Sequence, residues 1–236
     1  MRMDDIIEAL LKDLQSLKFG PPITHVYNPL EYARKPHSEY LKRYGSRPKE
    51  VVLLGMNPGP WGMAQTGIPF GEVSAVKTWL QIDTSVGAPH SIHPKRPVLG
   101  FECQRSEVSG RRLWGWAMRM FGTPDRFFKR FFVLNYCPLL FIESSGRNRT
   151  PNQIRSTERK LLFEACDRAI RRTIRCLKPR YVVGVGNFAK ERALIALSGL
   201  DVIIGGVTHP SPANPKANKG WERLMTQALT DLGIDL

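Results

Sequence analysis

The sequence predicts an α/β fold, a three-layer α/β/α sandwich around a central four-stranded parallel sheet. Three observations carry this. Four short apolar runs, "VVLLG", "FFVLN", "YVVGVG" and "DVIIGG", are rich in β-branched or aromatic residues and end in Gly or Asn. Stretches of helical periodicity separate them, and the turns that follow the runs are crowded with Gly, Pro, Asn and His. Strands that alternate with helices imply a parallel sheet covered on both faces.

Taken in order, residues 4–18 read as an amphipathic helix with Asp4 as its N-cap and Ile6, Leu10, Leu14 and Leu17 on one face. The first strand runs from Glu50 to Leu54. "VSAVKTWLQI" is a short helical pattern, "SIHPKRPVLGFECQRSEVSG" is irregular, and Arg111 to Met120 is helical through Trp114, Ala117 and Met118. The second strand is Phe131 to Asn135. The Ser, Gly, Asn and Pro of "IESSGRNRTPNQ" read as an exposed loop. A long helix spans 156–177, strands three and four are 181–186 and 201–206 with the helical "FAKERALIALSG" between them, and a helix from Lys219 to Leu232 closes the chain. A single domain over 1–236 is the default for this length.

Composition bounds the partners. The acids inside "MRMDDIIEALLKDL" suit a helix and not a signal peptide, and no apolar run approaches membrane-spanning length, so neither secretion nor a membrane is expected. Cys103, Cys137, Cys166 and Cys176 form no C-x-x-C pair and read as reduced structural thiols. His90-x-x-His93 followed by Cys103 lacks a fourth ligand, so no metal is expected. Lys and Arg number 35 against 21 acids, a formal charge of +14, which points to a polyanion. Arg168, Arg171, Arg172 and Arg175 share a helix face. Taken alone, that stripe reads as a solvated surface before it reads as a binding site.

The turn after the first strand, "GMNPGPWG", combines stiff prolines with permissive glycines around a single amide, Asn57. It lacks the spacing of a phosphate loop, which argues against a nucleotide-binding enzyme. Strand two ends in Asn135, and strand four leads to His209 in "HPSPANPKANKGW". Each alone is ordinary turn chemistry; together they gather at the carboxyl edge, where open α/β sheets bind ligands. Asn is no base, so two amides and one imidazole, with no carboxylate among them, suit a reaction in which the leaving group needs help. Departure of a nucleobase from its sugar fits. A His stabilises the departing anion, either as a cation or as an N–H donor, while one Asn holds a water and another reads a base edge. A binding module of the same fold without catalysis is the alternative, and intact Asn57 and His209 argue against it.

"GMNPGPWGMAQTGIPFGEV", "KRPVLG", "SEVSG", "LNYCPL" and "HPSPANPKANKGWE" resemble the single-strand-selective monofunctional uracil-DNA glycosylases of the uracil-DNA glycosylase superfamily, over a stretch from Tyr27 to the last helix. The resemblance implies base flipping and hydrolytic release of uracil and 5-modified uracils such as 5-hydroxymethyluracil, without a cofactor or a lyase step. The substrates implied are single- and double-stranded DNA containing uracil, and a monomer is expected. The location would be the nucleoid-bearing cytoplasm of a bacterium or the nucleus of a eukaryote. By position, Asn57 resembles the water-holding residue, His209 the anion-stabilising one, Asn135 the uracil reader and Phe70 the stacking aromatic. Met56 and Gly59 resemble residues lining the pocket near the water and C5. The segment from Pro210 to Gly220 resembles the wedge that enters the duplex, which implies DNA contacts for Ser211, Ala213, Asn214, Lys216, Asn218 and Lys219. Animal members carry Phe where Trp61 stands and Arg where Ala213 stands.

Overall fold

The computed structural model describes residues 2–236. In chain order the elements are α1 (Met3–Gln15), β1 (Ile23–Tyr27), α2 (Pro29–Tyr32), α3 (Arg34–Tyr44), β2 (Val51–Gly55), α4 (Met63–Thr66), α5 (Val73–Thr78), α6 (Val108–Phe121) and α7 (Pro124–Arg130). There follow β3 (Phe131–Asn135), β4 (Leu140–Glu143), β5 (Asn148–Arg149), α8 (Ser156–Leu177), β6 (Tyr181–Val185), α9 (Asn187–Ala196), β7 (Ile203–Val207), α10 (Pro215–Asn218) and α11 (Trp221–Asp231).

Four parallel strands in the order β3-β2-β6-β7 form the central sheet, as expected. The two inner strands, β2 and β6, are buried at every residue, because a parallel strand covered on both faces has no polar side to show. Helices α1, α8 and α9 pack together as one layer, and α5, α6, α7 and α11 as another. Chain order reverses around β2: β3 lies to one side of it and β6 to the other, so β2 opens into the crevice where such sheets bind ligands. At the β3 edge the buried Tyr40 of α3 donates its hydroxyl to the Val133 carbonyl at 2.7 Å, satisfying a strand group that has no neighbouring strand. Behind the end of β3, Tyr136 donates to Asp167, which is also paired with Arg192, so that β3, α8 and α9 are tied by one polar network.

Several expectations need correction. The first helix starts at Met3 with Arg2 as N-cap, and Asp4 lies in its first turn; Asp5, not Asp4, accepts the Arg2 N–H. The helix ends at Gln15, short of the expected residue 18, although Ile6, Leu10 and Leu14 are buried on one face as expected. The segment read as an exposed loop is a hairpin: β4 pairs antiparallel with both β1 and β5 in a second, three-stranded sheet. Its turn-forming Ser144, Ser145 and Gly146 occupy only the bend between two paired strands, and Asn148 is itself in β5, paired with Ile142. Strands β1, β4 and β5 and helices α2, α3, α4, α7 and α10 escaped the sequence reading, and α7 carried a signal, Thr123 capping Arg126 with Pro124 behind it. The last helix begins at Trp221, after the separate short helix α10. In the arginine stripe, Arg168 pairs with Asp13 and Arg171 binds the Ala196 and Ser198 carbonyls, so half of it joins helices together.

Tyr40→Phe tests the edge contact. It keeps the ring packing but leaves the Val133 carbonyl buried and unpaired, and should lower unfolding free energy by about 1–3 kcal/mol in urea titrations. An unchanged midpoint would show that another group satisfies that carbonyl.

Candidate active-site cleft

At the carboxyl edge of the sheet, the structure brings Met56, Asn57, Gly59, Phe70, Asn135 and His209 into one cleft of about 310 Å³, with Ser211 at its wall. The last rung of the β2–β3 ladder pairs Gly55 with Asn135, which lines the cleft. A Cβ on Gly55 would overlap both Asn135 Oδ1 and the Phe70 ring, so glycine is what lets the strand end, the Asn135 amide and the aromatic meet.

Each side chain is held in a defined orientation. Asn57 Nδ2 donates to the Leu139 carbonyl at 3.1 Å and to that of Pro58 at 3.5 Å, which leaves Oδ1 to accept from a solvent or substrate donor. Asn135 Nδ2 donates to Met63 Sδ at 3.3 Å, which fixes which way its amide faces. Phe70 has φ of +54°, a conformation non-glycine residues rarely hold and one that costs of order 1–3 kcal/mol. Its carbonyl is pinned by Trp114 Nε1 at 3.0 Å and by the Glu72 N–H at 2.7 Å, so packing beneath the site enforces the strain.

His209 accepts the Ser211 N–H on Nδ1 at 3.1 Å, so the neutral ring carries its proton on Nε2. Among the described residues nothing in the protein bonds that Nε2. Loss of water around the ring lowers its pKa to about 4, which decides between the two forms the sequence left open: His209 is a neutral N–H donor.

The segment from Pro210 to Gly220 is a braced loop. Asn214 caps α10 through the Lys216 N–H and donates to Thr208 and to the His209 carbonyl. Asn218 donates to the Pro212 carbonyl and accepts from Arg112, which also binds the Pro210 carbonyl. The Ser211 hydroxyl accepts the Ala213 N–H. Ala213, Lys216 and Lys219 remain exposed. Trp61, on the turn beside the cleft, has the Arg105 and Arg96 guanidinium carbons 4.4 and 5.4 Å from its ring centre.

Sequence reading missed Glu107, Ser109, Asn148 and Thr150, which also line the cleft. Asn148 and Thr150 arrive on the β4–β5 hairpin that was read as a loop, and Asn148 Oδ1 is buried without a partner. Glu107 and Ser109 belong to "SEVSG", whose spacing carries no chemical signal by itself. Burial and the neighbouring Glu72 raise the Glu107 pKa to about 7. Of His90, His93 and Cys103, His93 uses both ring nitrogens on backbone, at Ser144 and Lys95. Among the described residues no cluster of three His, Cys, Asp or Glu could hold a metal ion, no helix is long and apolar enough to cross a membrane, and the four cysteines are unbridged.

Residues 42–233 match the family described as the uracil DNA glycosylase superfamily. A rat protein named single-strand selective monofunctional uracil-DNA glycosylase is 51% identical over 224 residues, covering 94% of this chain and 81% of its own. Mouse and bovine proteins of the same name are each 50% identical over 94% of this chain, and 80% and 82% of theirs. The crystal structure of Pedobacter heparinus SMUG2 superposes with a TM-score of 0.68 over 97% of both chains at 20% identity, a likeness of fold.

The ionisation states give a stability test. His37 is buried, and burial lowers its pKa to about 4, as for His209. Both are neutral when folded but titrate near 6.5 when unfolded, so their contribution is complete above about pH 6.5 and is lost as pH falls toward 4. Glu107, raised in the fold, works in the opposite sense over about pH 4.5–7, and two histidines outweigh it. Urea midpoints should therefore be lower at pH 5 than at pH 7, while ¹⁵N shifts show a neutral His209 in the folded protein at pH 6. A charged His209 at that pH would contradict the assignment.

Proposed function

Because the chain belongs to the uracil DNA glycosylase superfamily, we propose that its cleft receives a uracil flipped out of DNA and hydrolyses the bond between that base and deoxyribose. The protein is a DNA repair glycosylase, a hydrolase of N-glycosyl bonds whose partner is DNA. The observation that carries the assignment of the cleft is His209: a neutral imidazole, its Nδ1 taken by backbone and its Nε2–H unclaimed, beside two oriented amides and a strained aromatic.

As the C1′–N1 bond breaks, its electron pair moves into the pyrimidine and negative charge grows on a ring oxygen. An N–H donor fixed before the reaction stabilises that charge without reorganising. A neutral donor also avoids the cost of holding an imidazolium in a poorly solvated wall. In this reading Asn57 Oδ1 accepts from the attacking water, Asn135 pairs with N3–H and O4 of uracil, and Phe70 stacks on the base. Met56 and Gly59 stand near the water and C5. Exposed Lys216 and Lys219 approach phosphates, with Ser211, Ala213, Asn214 and Asn218 forming the rest of the wedge. No cofactor is called for in this reading.

The direct test is a uracil-containing oligonucleotide incubated with the protein and then treated with alkali. Strand breaks should appear only after the alkali; their absence would defeat the assignment. His209→Ala and Asn57→Ala should each slow single-turnover release by a hundred- to a thousandfold, as loss of one preorganised donor or water holder of about 2.7–4 kcal/mol demands, with oligonucleotide binding nearly intact. Wild-type rates in His209→Ala would remove it from the mechanism.

Asn135→Asp replaces the amide donor by an acceptor. Cytosine presents the reverse of the uracil pattern, and each mismatched buried group is worth about 1–3 kcal/mol. Uracil excision should fall strongly, with a slight gain on cytosine in competition between the two oligonucleotides. Uracil excision at the wild-type rate would mean that another group reads the base.

A further inference from the structure

Glu107 lines the cleft, yet the roles of Asn57, Asn135, Phe70 and His209 involve no carboxylate. It is the N-cap residue of α6, but its side chain makes no cap bond, whereas Glu72, at the same position of α5, accepts the Ala75 N–H at 2.9 Å. The Glu107 carboxyl lies instead against the turn that carries Asn57. A Cβ on Gly59 would come within 2.7 Å of its Oε1, and one on Gly62 would overlap its Oε2. Both residues must therefore lack side chains for the carboxyl to be there.

Oε2 is buried with no hydrogen-bond partner, and among the described residues no ion pair includes Glu107. The charge acting on it, Glu72 from α5, has its own sign. The turn from Asn57 to Gly62 offers no charge, and His209, the other titratable group lining the cleft, is neutral. A buried carboxyl without donor or counter-ion weakens a fold, and such groups cluster where chemistry requires them.

The chemistry here has that requirement. Breaking C1′–N1 leaves positive charge on the sugar, and the water that then bonds to C1′ must lose a proton, which the Asn57 amide is not basic enough to take. We propose that Glu107 is the anion of this site, facing the sugar cation and accepting, through water held in the cleft, the proton of the attacking water. The balance is complete: the C1′–N1 pair leaves with uracil, the water oxygen bonds to C1′, and its proton forms the Glu107 carboxylic acid. That proton returns to solvent, and solvent protonates the uracil anion. The inference rests on the glycosylase reading of the cleft.

Glu107→Gln separates a chemical role from a structural one, because it keeps the shape and removes only the charge. Single-turnover release of uracil should fall about a hundredfold, the lower end of general acid–base effects. Affinity for an oligonucleotide bearing 2′-fluoro-deoxyuridine, which resists cleavage, should stay within about twofold. The melting temperature should rise at pH 7.5, where wild type carries the unpaired charge, and the gain should shrink by pH 4.5. Glu107→Asp, which retains the charge, should recover part of the rate. A Gln variant as fast as wild type would overturn the proposal, as would one whose slow release comes with weakened binding and a lowered melting temperature. If wild type itself releases no uracil, the glycosylase reading fails first and this inference goes with it.

Discussion

Where β2 and β3 end side by side, Gly55 faces Asn135 across the last rung of the ladder. The space left by the missing side chain is occupied from two directions, by the Asn135 amide and by the Phe70 ring. That close approach sets the geometry of everything above it. The ladder hydrogen bonds fix the height of both strand ends, and their continuation, Tyr136 N–H to Gly55 and Cys137 N–H to Met56, carries the alignment into the loops. Phe70 is then held at positive φ by two bonds to its carbonyl, one from the Glu72 N–H and one from Trp114, fully buried in the helical layer. The strain at the site is thus borne by the core.

The electrostatics of the cleft follow from its walls. Enclosure that would be harmless to an apolar ligand keeps His209 neutral and pushes Glu107 toward protonation. One group donates without charge and the other is a carboxyl with no cation beside it, a pair whose titrations oppose each other in the same pH range. Orphaned polar atoms on Glu107 and Asn148 line the same cleft, which is unfavourable for folding and suited to a polar substrate with water around it.

Outside the cleft, the charge of +14 supplies long-range attraction to a phosphate backbone, while the loops decide how it is used. The Pro210–Gly220 segment is preorganised by its own asparagines and by Arg112 from α6, so that its small and basic residues are presented on a stiff support. A loop ordered before binding loses less entropy on contact. The arginines at 168 and 171 show the converse, since helical spacing gathered them on one face but tertiary neighbours took them for joining α8 to α1 and α9.

The sequence by itself determined the sheet and which polar residues gather at its carboxyl edge. Buried parallel strands must be apolar along their length, and each such run was found within one or two residues of its place. Asn57, Asn135 and His209 were visible because residues at strand ends share one edge of a parallel sheet whatever the details of packing. Alternation that is weak or short left less trace: β1, β4 and β5 are short and pair through backbone, and Ser and Gly look the same in a loop as in the bend of a hairpin. Glu107 could not be read at all. Its place in the cleft depends on which way one side chain turns at the start of α6 and on two glycines forty-odd residues earlier that leave it room. Likewise, the sequence offered His209 as a cation or a neutral donor, and only the backbone N–H of Ser211 and the enclosing walls chose between them. Hydrophobic pattern and strand order are local and repetitive, so sequence carries them; orientation, burial and ionisation of a side chain depend on what the folded chain puts beside it.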